Sequence, residues 1–403
     1  MSNNFVMMRL IYVLFFLPAI VFGQQNITGI VSDAKTKHAI PLATVYINGT
    51  TVGTTTDNEG AFSISVTSIP CQIVISHIGY EPKVLSVENL NETHKKVELF
   101  QRLVQMDEVN VKGKNLRAKN IDEFKMWFLG FDYWGKNAIL LNDEVLSFSR
   151  DRKKWGMKII PEIQDGKSIF LSDKSWVSGD VEWAKDSSEI FMNRAINLKA
   201  SAKEPLTVNL PLLGYTLQIE LVDFIVQYAS ENGGLQTSFL GYYYFIPYKT
   251  EREKDLKKFE KNRQKAYFNS SQHFCRSLYD KKLQESGYQL FEQIIDSISK
   301  QKLYKEFIID EYLNYIENDE LQIKGLNNKH FYLFYYGNSK GEPKDLTTQK
   351  PWVPIQSEIY FLSDTCLIRS NGIIPNNSIV FSGAISEKKV GSMLPEDYKI
   401  NDK

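Results

Sequence analysis

The sequence predicts a mainly β protein, in which an all-β N-terminal sandwich precedes a β-rich α+β second domain. Apolar and polar residues alternate in short runs between about residues 25 and 112. Successive strand residues face opposite ways, so each run has one side for a core and one for water. Turn-forming residues separate these runs about every eight to twelve residues, as in sandwiches. The 24 Phe and 21 Tyr of the chain also favour strands.

The first residues are typical of an export signal. Arg9 supplies a positive charge, residues 10–22 are almost entirely apolar, and Gly23 provides a small residue for cleavage. The apolar run is shorter than the roughly 20 residues that span a membrane. We predict a signal peptide at 1–23 and a mature chain from Gln24, located in the periplasm, the outer membrane or on the cell surface. The alternative is an N-terminal membrane anchor. No transmembrane segment is predicted after cleavage.

Length and charge limit the remaining possibilities. The 403 residues suit two domains after the signal, which we place at 24–112 and 113–403. Lys plus Arg and Asp plus Glu both number 48, so no nucleic-acid partner is expected. The three cysteines are too few and too widely spaced for a disulfide framework or a metal site. Cys71 is expected to be a buried free thiol, and a Cys275–Cys366 bridge stays open.

The first domain is predicted strand by strand. Alternation places strands near 43–47 and 62–66, and further strands are expected at 27–32, 71–77, 83–88 and 95–100. Asn48-Gly49 and Asn58-Glu59-Gly60 tolerate positive φ and can close hairpins. Asp57 is expected to accept backbone N–H groups in an Asx-turn rather than bind a metal, because one carboxylate lacks the several oxygens that a hard cation needs.

This stretch carries a resemblance. GIVSDAKTKHAIPLATVYINGTTVGTTTDNEGAFSISV, followed by ISHIGYEP, resembles the carboxypeptidase regulatory-like domain of secreted and outer-membrane proteins of Bacteroidota-type bacteria. The resemblance implies a transthyretin-like sandwich of about seven strands that assists folding, docking or positioning without catalysis of its own. The positions on the family pattern are Gly29, Asp33, Pro41, Leu42, Ala43, Val45, Gly53, Thr54, Thr56, Asp57, Gly60, Phe62, Ser76, Gly79 and Tyr80.

The second domain mixes helices with strands. Helical spacing covers 116–129, a strand is expected at 138–148, and 151–190 has the composition of loops and short strands. Residues 195–248 are strongly β. A charged helix is predicted at 251–267, and a second helix capped by Asn269 runs to about Glu285 before Gly287. Strands then dominate to about 383. Islands such as NRQKAYFNSSQHFCRSL and MLPEDY resemble an uncharacterised C-terminal region of Bacteroidota proteins, for which the resemblance implies no activity.

No catalytic motif is recognisable. None of the five histidines is followed by Glu three residues later, as a zinc carboxypeptidase requires, and the sequence has no His-Glu-x-x-His. Gly-x-Ser-x-Gly, the phosphate-binding loop and the dinucleotide fingerprint are missing as well. We therefore predict no catalytic residues, no metal ligands and no cofactor.

The densest polar cluster lies around the two predicted helices after residue 250. Its candidate ligand-binding residues are Arg263, Tyr267, Ser270, His273 and Arg276. Three interpretations stay open: local helix capping, anion binding at the exposed N–H groups of a helix start, and a Ser270–His273 nucleophile. Capping is favoured, because no orienting acid or oxyanion hole is recognisable.

The predicted function is that of a non-enzymatic envelope or surface protein acting in docking or interaction. The predicted partner is another envelope protein or a glycan. A glycan- or peptidoglycan-binding module is the first alternative, with the aromatic residues Tyr242 to Phe245 and Trp352 as a surface. A hydrolase with an unrecognised site is the second.

Overall fold

The computed structural model describes residues 25–91, 93–102, 114–158, 162–164, 167–169, 180–183, 189–228, 235–296, 300–316, 319–337, 342, 353–375 and 377–400. The predicted signal peptide at 1–23, the predicted boundary near residue 112 and Trp352 lie outside these residues. Among the described residues, no helix is both long and apolar enough to cross a membrane.

The N-terminal part is a β-sandwich, as predicted. The described residues contain seven strands here: β1 Gln25–Asp33, β2 Thr44–Ile47, β3 Gly53–Thr55, β4 Ala61–Val66, β5 Cys71–Ser76, β6 Lys83–Val87 and β7 His94–Leu99. One sheet has the order β4-β1-β7 and the other the order β3-β2-β5-β6. Alternate residues of the strands point inward, so that Phe62, Ile64 and Val66 share one core with Val31 and Ile73.

Two aspartates of the family pattern organise the turns of the sandwich. Asp57 Oδ1 accepts the backbone N–H groups of Glu59 at 3.0 Å and Ala61 at 2.7 Å, which is the predicted Asx-turn. Asp33 accepts the backbone N–H of Thr36 at 2.7 Å, and its other oxygen accepts the Tyr80 hydroxyl at 2.9 Å. Several hydrogen bonds to the Asp33 carboxylate hold its pKa well below the usual value, and the bond from the Thr36 N–H has the largest effect.

The following part begins with helices and a six-stranded sheet. Its helices are α1 Lys114–Leu129 and α2 Tyr133–Asn137. The strands of this stretch are β8 Ile139–Leu140, β9 Leu146–Ser149, β10 Arg152–Lys158, β11 Glu162–Gln164, β12 Lys167–Ile169, β13 Asp180–Trp183, β14 Glu189–Ala195, β15 Asn197–Ala202, β16 Leu206–Leu210, β17 Tyr215–Gln227 and β18 Gln236–Pro247. The six-stranded sheet has the order β8-β16-β17-β15-β9, and the long strand β17 also pairs with β18 over almost its whole length.

A second pair of sheets follows two more helices, α3 Glu253–Tyr267 and α4 Ser271–Tyr279. The strands of these sheets are β19 Tyr288–Ile295, β20 Lys302–Glu306, β21 Leu313–Ile316, β22 Glu320–Lys324, β23 His330–Tyr335, β24 Ile355–Phe361, β25 Thr365–Arg369 and β26 Ile379–Gly383. A five-stranded sheet of order β20-β19-β23-β24-β26 and a three-stranded sheet of order β21-β22-β25 share a core with α4. Short 3-10 helices lie at Asp143–Val145, Asp310–Tyr312, Ala384–Glu387 and Val390–Ser392.

Among the described residues that follow the sandwich, side chains pack into two separate cores. In the first, Phe124 and Phe128 of α1 pack on Phe224 of β17, with Phe124 and Phe224 ring centroids 4.7 Å apart. In the second, Phe274 and Leu278 of α4 are fully buried between the two sheets. Helices and strands coexist in this part, as the sequence indicates.

Three local expectations differ from the structure. The continuous strand expected at 138–148 is instead β8 and β9 separated by the 3-10 turn at Asp143–Val145. Cys275 and Cys366 are both free and buried, so the possible bridge is not formed, and Cys71 is free but only half-buried. Asn269 has a φ of 56° and does not cap α4, because an N-cap residue needs extended backbone. Ser270 is extended and is the cap.

The second of the two adjacent helices also ends earlier than expected. Helix α4 stops at Tyr279 rather than near Glu285. Lys281 has a φ of 53°, and its N–H donates to the Leu278 carbonyl while the N–H of Lys282 donates to the Ser277 carbonyl. These two bonds form a Schellman turn, which satisfies the last carbonyls of the helix and turns the chain away.

Candidate functional site

A loop of the sandwich is inserted between two later segments of the chain. We call the contact of residues 48–51, 243–245 and 396–398 the junction. The Gly49 N–H donates to the Tyr243 carbonyl at 2.7 Å, and the Phe245 N–H donates to the Thr50 carbonyl at 3.0 Å. On the other side of the loop, the Glu396 N–H donates to the Gly49 carbonyl at 2.7 Å. The loop is therefore bonded through its backbone on both sides.

Side chains extend the junction along the face of the sandwich. The ring of Tyr46 stacks on Tyr244 with centroids 5.1 Å apart, and the Thr51 hydroxyl donates to Asp397 Oδ2 at 2.5 Å. Glu220 of β17 is buried and accepts the Ser76 hydroxyl. These contacts give the sandwich one orientation on the β17–β18 hairpin.

Glycine is required at the centre of the loop. Gly49 has a φ of 76°, a conformation that residues with a Cβ rarely adopt. A Cβ at this position would lie 2.1 Å from Glu396 Oε1. The Asn48-Gly49 pair was predicted from its turn chemistry alone, and the structure adds that the glycine is also needed for the approach of Glu396.

Arg276 holds the C-terminal segment of the junction. From α4 its Nη1 donates to the Tyr398 carbonyl at 2.8 Å and its Nη2 to the Glu396 carbonyl at 2.8 Å. Its Nε donates to the Asn371 carbonyl at 3.0 Å. The guanidinium also lies 5.5 Å from the centre of the Tyr267 ring. All three nitrogens of the guanidinium group thus donate hydrogen bonds to backbone carbonyls of this chain.

Ser270 and His273 have separate roles at the start of α4. The Ser270 hydroxyl accepts the backbone N–H of His273 at 3.1 Å, which is the capping bond. Nδ1 of His273 accepts the Asn269 N–H at 3.2 Å and lies 3.0 Å from the Tyr288 hydroxyl. Burial, followed by the positive charges of Lys388 and Arg276, lowers the pKa of His273 to about 3. The imidazole is therefore neutral at pH 7.

Arg263 lies on the other adjacent helix, α3. Its Nε donates to the Leu213 carbonyl at 2.9 Å, and its guanidinium lies 4.1 Å from the centre of the Tyr215 ring. The structure thus brings Tyr267, His273 and Arg276 together, with Tyr267 and His273 ring centroids 4.9 Å apart. Arg263 contacts the turn between β16 and β17 instead. The ligand-binding role of the cluster stays a prediction.

A cavity of about 260 Å³ opens beside the junction. Ser270 is the member of the predicted cluster that lines it. Apolar side chains and several polar groups complete its wall: Gly49, Tyr243, Phe245, Ala266, Ser271, Gln272, Gly372, Ile373, Lys388, Lys389, Ser392, Met393, Leu394 and Glu396. Cavities where separate parts of a chain meet, with polar groups on apolar walls, are common ligand sites.

Two ionisable groups of the cavity wall have shifted pKa values. Burial raises the pKa of Glu396 to about 8, and its Oε2 accepts Asn371 Nδ2 at 3.1 Å. Burial also lowers the pKa of Lys388 to about 8, while Nζ donates to the carbonyls of Ala266, at 2.8 Å, and of Phe268. Groups with such shifts in a cavity are candidates for a functional role.

Sequence reasoning did not single out Gly49, Lys388 or Glu396 as site residues. Gly49 is far from the other two residues in the chain, and only folding brings all three to one cavity. The island MLPEDY, which contains Glu396, was the one signal that could have pointed to the C-terminal segment.

Comparisons with known proteins cover the chain unevenly. The model of the CarboxypepD_reg-like domain matches residues 27–111. A cohesin–X-dockerin complex of Acetivibrio cellulolyticus is similar over 18% of this chain and 51% of that chain, at 20% identity and a TM-score of 0.16. A protein of unknown function from Bacteroides fragilis, described as membrane-associated, is similar over 56% of this chain and 99% of its own, at 14% identity and a TM-score of 0.16. TM-scores this low carry no functional argument. No curated protein matches.

Proposed function

Because residues 27–111 match the carboxypeptidase regulatory-like domain, we propose that this chain is an exported, non-enzymatic protein of the cell envelope whose sandwich acts as a docking module. The sandwich, at residues 24–112, docks on a β-rich domain at 113–403 and holds it in one orientation toward an envelope partner. The domain family supports a role in positioning, since its members do no catalysis of their own.

The observation that carries the proposal is the insertion of the loop at 48–51 into the junction. Its backbone is bonded to Tyr243 and Phe245 on one side and to Glu396 on the other. Such bonds hold only one relative placement of the two parts, because each donor must meet one acceptor within about 3 Å. A flexibly tethered sandwich would need none of them. The arrangement therefore supports docking within the chain as the role of the sandwich.

We expect Gly49→Ala to loosen the junction while both parts stay folded. The new Cβ meets Glu396 Oε1, whereas the matched control Gly79→Ala, at a φ of 85°, has no atom within 4 Å of its Cβ. Both variants share the strain of a positive φ, so a difference in exchange between them reports the contact of the new Cβ with Glu396. Hydrogen–deuterium exchange of the mature chain should rise at residues 243–245 and 396–398 in Gly49→Ala only. Equal exchange at those residues in the two variants would contradict docking through this loop.

We expect export to remove residues 1–23. The full chain produced in a Gram-negative host should appear outside the cytoplasm, with Gln24 as its first residue by intact-mass measurement. Leu14→Arg breaks the apolar run and should leave the full-length chain in the cytoplasm, because a charge is costly in a signal's apolar segment. A chain that keeps its N-terminus and stays in the inner membrane would support the anchor alternative instead.

The two other functional hypotheses are distinguishable by experiment. For a glycan-binding module, the aromatic run from Tyr242 offers little free surface, because Tyr244 stacks on Tyr46 and Phe245 is buried in a core. For a hydrolase, the Ser270 hydroxyl bonds to the backbone of His273 rather than to its imidazole. Thermal-shift screening against glycans and peptidoglycan fragments, followed by an assay of the same compounds for cleavage products, separates the three hypotheses. Stabilisation without turnover supports the binding module, turnover supports the hydrolase, and neither effect supports docking.

A further inference from the structure

The cavity beside the junction has an excess of positive charge. Lys388 and Lys389 both line it, and Lys388 is held in place by two carbonyls at the end of α3. The positive charges of Arg369 on β25 and Arg276 on α4 lie near Glu396 and favour its ionised form, against the larger effect of burial. The nearby acids are Asp397, which accepts a hydrogen bond from the Thr51 hydroxyl, and Asp132, whose negative charge favours the charged form of Lys388. Glu396 is the one acidic residue of the cavity wall itself.

We propose that this cavity binds a small organic acid through its carboxylate, with Lys388 and Lys389 supplying the positive charge and Glu396 a hydrogen bond. This proposal goes beyond the docking role and rests on the docked junction, because Gly49 of the inserted loop lines the cavity. Its ligand is an organic acid of about the size of one amino acid, because 260 Å³ is smaller than most pockets for drug-sized molecules.

Glu396 suits a carboxylate ligand because of its protonation. With its pKa raised to about 8 by burial, it is a neutral acid at pH 7 and can donate a hydrogen bond. Its Oε2 already accepts Asn371 Nδ2, so the proton belongs on Oε1. Oε1 lies beside Gly49, which also lines the cavity. A protonated acid facing a carboxylate forms a strong, charge-assisted hydrogen bond.

Apolar side chains complete the complementarity. Phe245, Met393 and Leu394 line the cavity together with Ser270 and Gln272. A ligand with a short apolar body and one carboxylate would contact both the apolar side chains and the charged and polar groups of the cavity wall. A long glycan would exceed the volume.

The test compares N-acetylglycine with its neutral amide, N-acetylglycinamide, on the mature chain by isothermal titration calorimetry. We expect the acid to bind at least tenfold more tightly than the amide at pH 6.5. Lys389→Met should weaken the acid at least fivefold and leave the amide unchanged, because it removes one charge and keeps the apolar stem. Circular dichroism establishes that each variant is folded. Equal binding of acid and amide, or binding of neither, would overturn the proposal.

The pH dependence identifies the part of Glu396. In the wild type, Glu396 ionises and Lys388 loses its charge as the pH rises through about 8, and both changes oppose a carboxylate. Glu396→Gln keeps a donor and cannot ionise, so only the loss of charge on Lys388, and on Lys389, whose pKa is also lowered by burial, remains. We expect the affinity for N-acetylglycine to fall at least fivefold more between pH 6.5 and 9 in the wild type than in Glu396→Gln. Parallel pH profiles would remove Glu396 from the site. The docking test measures exchange at the junction and this test measures affinity for an acid, so failure of one proposal is distinguishable from failure of the other.

Discussion

Arg276→Met is expected to lower the free energy of unfolding by about 4 kcal/mol, because three backbone carbonyls lose a charged donor and become hard to satisfy. The lost bonds are those to Asn371, Glu396 and Tyr398. The decrease should appear as a lower urea midpoint at neutral pH, with the slope of the transition unchanged. Arg276→Lys should lose about half as much, since an ammonium lacks the planar fork that reaches several acceptors.

Arg252→Met is the matched control for this prediction. Arg252 is largely exposed and pairs with Asp255 at 3.4 Å on the surface, where such pairs contribute at most about 1 kcal/mol. If Arg276→Met were no more destabilising than Arg252→Met, Arg276 would not be holding the C-terminal segment. Its guanidinium would then be better explained by the ligand-binding interpretation that the sequence leaves open for it.

His273→Asn is expected to remove a large part of the acid sensitivity of the fold. The Asn269 N–H donates to Nδ1, so the neutral ring carries its proton on Nε2, and protonating Nδ1 would set two donors against each other. The folded pKa of about 3 lies below the ordinary value of 6.5. The unfolded chain therefore binds the extra proton first, and this contribution to stability is present above pH 6.5 and is lost as the pH falls toward 3.

The size of the effect follows from the shift. Between pH 7.5 and pH 4 the wild type should lose about 3 kcal/mol through this group, in addition to losses from other groups. His273→Asn places an amide oxygen near the position of Nδ1 and cannot be protonated, so its stability should fall by correspondingly less over the same interval. Urea unfolding at both pH values measures the two differences. Identical losses of stability in the two proteins would show that the pKa of His273 does not differ between the folded and the unfolded chain.

Local patterns in the sequence were sufficient for the sandwich. The alternation at residues 62–66 gave β4 with Phe62, Ile64 and Val66 in one core, because strand side chains alternate by geometry. Asp57 formed its Asx-turn because the donors are two and four residues away. Helix α1 was predicted for a related reason, since Phe124 and Phe128 lie one turn apart on the face that packs on β17.

Local chemistry was insufficient where distant parts of the chain decide the outcome. Asn269 and Ser270 are both good capping residues, and the choice between them depends on the backbone, in which Asn269 adopts a positive φ and donates its N–H to His273. The cysteines gave the same lesson, because Cys275 and Cys366 share one core and remain free. Distance and orientation, which spacing in the sequence does not contain, determine whether they bond.

The sequence by itself therefore determined the fold class, the sandwich with its turns, and the absence of any recognisable catalytic motif. Only the tertiary structure decided that Arg276 binds the backbone of the C-terminal segment, that the loop around Gly49 is bonded on both sides, and that Lys388 and Glu396 share a cavity. The physical reason is the separation along the sequence of the residues that interact. Strand alternation, turns and caps act over a few residues, whereas burial and the pKa shifts it causes arise from residues hundreds of positions apart.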